Sequence, residues 1–260
     1  MTFYKLGVLG YPLEHSLSPK LHRYFLQQTN LSGSYDLFEV PPDQLAKWVS
    51  SISALGLTGF NVTIPHKISI MPYLKDISES AKMIGAVNTV IVKPDGLYGD
   101  NTDAEGFIAP LRHQFNGRHA LILGSGGASR AVAYALKKAG IETITIYSRS
   151  AGLELTPDLL SDVICLVNAT PVGMFPDIDK SPVSIELLKA LPKEALVYDL
   201  IYNPVQTRLL KEASDLNLEV QGGLSMLISQ GAYSFELWTG IEKRHELISH
   251  ALEKRELFGN

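Results

Sequence analysis

The stretch HALILGSGGASRAVAYALKKAG, His119 to Gly140, constrains the fold more than any other part of the chain. An apolar run of strand character meets a glycine-rich turn, and an alanine-rich helix ended by Gly140 follows at once. Strand, glycine turn and helix in that order open a doubly wound α/β layer, with backbone N–H groups and a helix N-terminus facing the turn. Gly124, Ser125, Gly126, Gly127 and Ala128 are therefore candidate binders of a dinucleotide pyrophosphate, although Ser129 stands where the usual fingerprint has its third glycine. A tight turn that merely needs glycine is the plainer alternative.

The segments TITIYS, DVICLVNA, ALVYDL and LEVQ read as further strands, and VQTRLLKEASDLN as a helix among them, which repeats the doubly wound pattern. The strand after the glycine turn ends in Ser148-Arg149-Ser150. An NAD site usually places an acid there for the ribose 2′-hydroxyl, whereas Arg149 would attract a 2′-phosphate and could stack on adenine. NADP is the expected cofactor, and an exposed surface arginine is the alternative.

Upstream, Lys5 to Gly10, SYDLFEV and GFNVTIP alternate as strands with helices over SPKLHRYFLQQTN and PPDQLAKWVSSISALG, which implies a mainly parallel sheet. Ser18 is the expected N-cap of the first helix, with Pro19 at its first position. A helix over ISESAKMIGA and a hairpin turning at KPDG follow. The expected class is α/β in two domains. Residues 1–103 plus 226–260 form an α/β substrate and catalytic domain, and residues 104–225 a Rossmann domain, with the C-terminal helices returning to the first.

With 45% apolar and 19% charged residues in 260, the chain is an ordinary globular protein, and its formal net charge of −4 disfavours nucleic acid as a partner. A single cysteine, Cys165, sits in an apolar run, and the seven histidines lack metal-ligand spacing, so neither a thiolate site nor a resident metal is expected. The apolar stretch at the N-terminus is too short for a signal-peptide core, no run is long enough to span a membrane, and the expected setting is cytoplasmic.

GFNVTIPHK ends a strand on two proton-carrying groups, His66 and Lys67. Reduction of a carbonyl leaves negative charge on oxygen, and a lysine at a strand end can supply the proton if a carboxylate orients it. Asp103, in YGDNTDAEG, is one such carboxylate; capping the following helix is its alternative role, and solvation that of Lys67.

SLSP (16–19), NVTIPHK (61–67), GAVNT (85–89), DNTD (100–103), GSGGASR (124–130), NATPVGM (168–174), DLIYNP (199–204) and MLISQGAYSFELWTG (226–240) together resemble the shikimate dehydrogenase family over nearly the whole chain. The resemblance implies NADPH-dependent reduction of 3-dehydroshikimate to shikimate, on the route to chorismate and the aromatic amino acids. It implies Lys67 and Asp103 as the catalytic pair, which also touches substrate. Ser16 and Ser18 would hold the substrate carboxylate, and Asn61, Thr63, Asn88, Tyr202 and Gln230 would surround the ring. On the cofactor side it adds Thr170, the backbone near Leu200 and Gly223, and, more weakly, Glu79. His66 falls outside this chemistry. A monomer or homodimer is expected, with a small-molecule substrate and no membrane partner. An NAD-preferring quinate/shikimate dehydrogenase is the alternative within the enzymes, and a non-catalytic nucleotide-sensing Rossmann protein is the alternative outside them. The segment after Ser150 carries no second basic residue and is short, so the crossover after the second Rossmann strand is expected to be reduced.

Overall fold

A computed structural model describes residues 2–111, 115, 119–148 and 154–258. The chain divides into two compact units, Met1–Gly106 with Ile228–Lys254, and Phe107–Leu227 with Arg255–Asn260.

In the first unit β1 (Phe3–Gly10), α1 (Ser18–Gln28), β2 (Ser32–Glu39), α2 (Leu45–Leu55) and β3 (Gly59–Val62) alternate, with a left-handed Gly56 ending α2. There follow α3 (His66–Ser69), β4 (Asp76–Ile77), α4 (Glu79–Ile84), the hairpin β5 (Thr89–Lys93) and β6 (Gly96–Asp100), and α5 (Asp103–Ile108). The sheet runs β2-β1-β3-β5-β6-β4. The pairs β1–β2, β1–β3 and β4–β6 are parallel, while β3–β5 and β5–β6 are antiparallel, the latter because a two-residue turn can only reverse the chain.

Three local expectations change. Leu17, not Ser18, is the capping position of α1, and the Ser18 N–H is instead received by Ser16 Oγ at 3.4 Å. The strand of GFNVTIP stops at Val62, so Thr63 to Pro65 form a turn that delivers α3. The helix over ISESAKMIGA is shorter, starting at Glu79 where the Ser78 hydroxyl accepts the Ala81 N–H.

The second unit comprises β7 (His119–Leu123), α6 (Gly127–Lys138), β8 (Thr143–Tyr147), α7 (Pro157–Leu160), β9 (Val163–Asn168), α8 (Ile185–Leu188), β10 (Leu196–Asp199), α9 (Arg208–Asp215) and β11 (Glu219–Gly222). Its strands are all parallel, in the order β11-β10-β9-β7-β8. Near-continuous apolar strands such as β7 and β9 are buried along their whole length, as a sheet covered on both faces requires. Only the short α7 is described between β8 and β9, in keeping with a reduced crossover. Cys165 lies inside β9, where burial pushes its thiol up to about 12 and leaves it inert.

The helix α10 (Gly223–Thr239) carries the chain from the second unit back into the first, and α11 (Arg244–Glu253) follows a left-handed Gly240. Among the described residues no helix is long and apolar enough to cross a membrane.

Candidate active site and dinucleotide turn

Lys67 stands in the first turn of α3, which the Thr63–Pro65 turn lifts off the end of β3. Its backbone is tied down by the Val87 N–H, which donates to the Lys67 carbonyl at 2.8 Å. Beside it, the buried His66 must present Nε2–H to the Val40 carbonyl, 2.6 Å away, because a carbonyl can only accept. His66 thus anchors the helix that carries Lys67 and takes no part in the polar cluster beyond.

Asp103 is the first residue of α5, and its N–H is received by Asn101 Oδ1 at 3.0 Å. Its carboxylate is free of capping duty. One oxygen meets Lys67 Nζ at 2.5 Å and the other accepts from Asn88 Nδ2 at 2.8 Å. With side chains only 14% and 6% exposed, the ammonium and carboxylate form a largely desolvated ion pair whose orientation water does little to disturb.

Around this pair lies a buried polar cluster. Asn88 Oδ1 accepts the Thr102 N–H at 2.8 Å, and Asn88 Nδ2 also points toward Gln230 Oε1 at 3.3 Å. Asn61 is buried on β3, and its Oδ1 accepts the Tyr35 hydroxyl at 2.7 Å. The two Asn61 amide protons are taken up by the Asn88 carbonyl, Thr89 Oγ1 and Ser234 Oγ. Both ends of the Asn61 amide are thus engaged by protein partners, which holds it within the frame of the cluster. Tyr35 stacks on the imidazole of His22 with centroids 4.3 Å apart, which fixes the floor beneath Asn61.

Gln230, Ser234 and Trp238 follow one another at intervals of four on α10 and so form one stripe. Trp238 Nε1 donates to the Val90 carbonyl at 2.9 Å, so the stripe is fastened along β5. Gly106 permits this approach: a Cβ there would lie 2.6 Å from Gln230 Cβ. Ser234, Thr89 and Thr102 were not singled out from the sequence. The four-residue spacing of Gln230, Ser234 and Trp238 is the signal that could have found the first of them.

Ser16 is half-buried and Ser18 buried, and among the described residues neither hydroxyl has a protein acceptor, so both can donate to an anion. Thr63 is half-buried, with its methyl against Gly10. Glu79 is not brought to this cluster; it is exposed and paired with Lys82 at 2.8 Å. Among the described residues no three His, Cys, Asp or Glu side chains are grouped to hold a metal ion.

In the second unit the chain leaves β7 for β8 on one side and returns to β9 on the other, which is the switch point where open parallel sheets bind ligands. Gly124 ends β7 with φ +112°, and a Cβ there would lie 3.0 Å from the Ala169 carbonyl. Gly126 faces open space, and Gly127 begins the 12-residue α6, so a pyrophosphate fits the cradle that glycine leaves clear. Ser125 completes the turn, Ala128 follows Gly127 in the first turn of α6, and Ser129 is buried beside Gly124 where a small residue is needed. Thr170 lies just past β9, its hydroxyl donating to Asn168 Oδ1 at 2.7 Å. Leu200 follows β10, and its N–H donates to the Asn168 carbonyl at 3.0 Å. The Gly223 N–H, at the start of α10, donates to the Ile201 carbonyl at 3.2 Å. Tyr202 is half-buried in the same unit. Ser148 closes the described part of the strand end, and Arg149 lies outside the described residues.

A doubly wound unit with a glycine cradle at its switch point, in one chain with a desolvated lysine–carboxylate pair, defines a dinucleotide-dependent oxidoreductase of the α/β class. A family model described as the shikimate dehydrogenase substrate binding domain matches residues 8–90, and one described as the shikimate 5′-dehydrogenase C-terminal domain matches residues 223–242. The NADP(+) shikimate dehydrogenase of Caldanaerobacter subterraneus is 41% identical over 257 residues, covering 90% of this chain and 91% of that protein. The shikimate 5-dehydrogenase of Thermus thermophilus, solved in complex with NADP(H) and shikimate, superposes with a TM-score of 0.83 at 38% identity, over 95% of this chain and 99% of that one. Shikimate dehydrogenase 1 of Peptoclostridium difficile gives a TM-score of 0.88 at 34% identity, over 98% and 100%. The chain belongs to the shikimate dehydrogenase family.

Proposed function

We propose that this protein catalyses the reversible NADP-dependent reduction of 3-dehydroshikimate to shikimate, in the formation of chorismate and the aromatic amino acids. The single observation that carries the reading is the Lys67–Asp103 pair, held at 2.5 Å and oriented by Asn88. The names of the relatives support the substrate and the cofactor.

When bound, NADPH supplies the hydride that adds to the ketone carbon. The chain's own part is to place a proton at the ketone oxygen. Lys67 Nζ, an ammonium beside the Asp103 carboxylate, donates that proton as negative charge builds on oxygen, and the C=O bond becomes C–OH. In the reverse direction the neutral amine takes the proton back. Asp103 holds the ammonium in one direction and accepts from Asn88, so little reorganisation is left for the moment of reaction.

Ser16 and Ser18 bind the substrate carboxylate through two hydroxyl donors. Asn61, Thr63, Asn88, Tyr202 and Gln230 would discriminate among ring hydroxyls, since a site lined with polar groups rejects analogues that leave them unpaired. Gly124 to Ala128 would hold the pyrophosphate, with Thr170 and the backbone at Leu200 and Gly223 lining the same end of the sheet. Ser148 and Arg149 would receive the 2′-phosphate. The protein works in the cytoplasm as a monomer or homodimer.

Steady-state assays of 3-dehydroshikimate with NADPH and NADH, and of shikimate against quinate in the oxidative direction, test the reading. A clear preference for NAD and quinate would replace it with the NAD-preferring alternative.

A further inference from the structure

Ser234 lies fully buried on α10 where β3, β5 and the turn before α5 each bring a hydrogen-bonding group to its hydroxyl, and the chemistry above gives it no role. Its hydroxyl is 3.0 Å from the Gln230 carbonyl, 3.0 Å from Asn61 Nδ2, 2.7 Å from Thr89 Oγ1 and 3.0 Å from Thr102 Oγ1. Counting protons fixes most of the directions. The carbonyl can only accept, so the Ser234 proton goes to it. The Asn61 amide can only donate, so it occupies one lone pair of Ser234 Oγ. The remaining lone pair takes a proton from one of the two threonines.

The other threonine has Asn88 Oδ1 as its nearer remaining acceptor, 2.9 Å from Thr89 Oγ1 and 3.2 Å from Thr102 Oγ1, against 3.3 Å between the two hydroxyls. Either assignment ends at the same atom. Asn88 Oδ1 is held by a threonine hydroxyl and by the Thr102 N–H, and Asn88 Nδ2 is thereby turned toward Asp103 Oδ1.

We infer that Ser234 is a positioning residue for the Lys67–Asp103 pair, acting through Thr89, Thr102 and Asn88. The inference rests on the proposed carbonyl reduction for its kinetic meaning and on the buried geometry for its structural meaning. Without the Ser234 hydroxyl, Asn61 Nδ2 keeps only the Asn88 carbonyl and Thr89 Oγ1, and a buried threonine proton loses its acceptor, so both threonines compete with the Thr102 N–H for Asn88 Oδ1 and the Asn88 amide is re-aimed.

Ser234→Ala and Ser234→Thr, compared with the wild type in 3-dehydroshikimate reduction by NADPH, test this. The expected result for Ser234→Ala is a fall in kcat of about 10-fold with both KM values within about twofold, because the group affected acts in the chemical step. Ser234→Thr, which keeps the hydroxyl, should recover most of that loss. Unchanged kcat in Ser234→Ala, or an equal loss in both variants, overturns the inference, the second outcome pointing to packing alone. Should Ser234→Ala fail to fold, Thr89→Val removes a partner hydroxyl at constant volume and should lower kcat in the same way; full activity there overturns the inference as well. If the wild type itself does not reduce 3-dehydroshikimate, the functional reading fails, and the positioning claim is decided by a crystal structure of Ser234→Ala. Loss of the Asn88–Asp103 hydrogen bond supports it, and an unmoved Asn88 overturns it.

Discussion

The Asn88 side-chain amide meets Asp103 in one orientation only. Its oxygen faces the Thr102 N–H at 2.8 Å, which can only donate, and its nitrogen faces the Asp103 carboxylate at 2.8 Å, which can only accept. A carboxylate in place of the amide satisfies the first partner and repels the second. Asn88→Asp should therefore lower kcat/KM for 3-dehydroshikimate by about 100-fold or more, with fold retained by circular dichroism. Activity within a few-fold of wild type would show that Asp103 needs no donor on that side.

Removing the proposed proton donor should act on turnover more than on binding. Lys67→Ala should lower kcat by about 10²–10⁴-fold while the dissociation constants for shikimate and NADP stay close to wild type. Nearly full turnover with weakened binding would make Lys67 a substrate-positioning group.

The proposed function gives Arg149 the choice of cofactor. Arg149→Ala should raise the KM for NADPH by about 10-fold and leave that for NADH unaltered, since only the phosphorylated ribose loses a charge-assisted partner. Equal changes for the two cofactors would remove Arg149 from discrimination of the 2′-phosphate.

Acid stability of the first unit depends on His22. Burial, opposed less strongly by the nearby Asn61 side chain, lowers its pKa from 6.5 to about 3. The unfolded chain binds a proton there that the folded one refuses, so the stabilisation is full above about 6.5 and is lost on acidification at about 1.4 kcal/mol per pH unit. His22→Phe keeps an aromatic ring in the stack and should flatten the loss between pH 6.5 and 5, by about 2 kcal/mol in urea titrations. An unaltered slope would show that other groups govern acid unfolding.

Asp199 works in the opposite sense in the second unit. Burial pushes its carboxyl up from 3.8 to about 6, against hydrogen bonds from Thr207, Ile201 and Asn168 that favour the charge. Here the folded state holds the proton longer, so stability is greatest below about pH 4 and falls as pH rises through 6. Relative to wild type, Asp199→Asn should gain roughly 1–3 kcal/mol between pH 4 and 7. Parallel stability profiles for the two proteins would contradict this.

Much of the scaffold was legible because its signals are local. The glycine turn, the hairpin at Pro94-Asp95 and the stop at Gly56 each rest on a few adjacent residues whose backbone preferences leave little choice. The two-residue β4 was not legible, since so short a strand has no periodicity to read. Lys67 and Asp103 were candidates only, because 36 positions separate them and each alone matches a solvated lysine or a helix cap. Ser234 carried still less. A serine inside a helix looks structural until the three partners that surround it are known, and those come from β3, β5 and the turn before α5.

The stripe on α10 also sets when the site can come into being. Gln230 reaches Asn88 across 142 positions of chain, and Ser234 reaches Asn61 across 173. A nascent chain that has emerged only as far as α9 already contains the lysine, the carboxylate and the whole sheet that carries them, yet lacks the helix that aligns them. Contacts of such long range close slowly and late, so each newly made molecule acquires its reactive geometry only after synthesis of the α10 segment. Activity thus reports that this distant segment has been made and correctly docked.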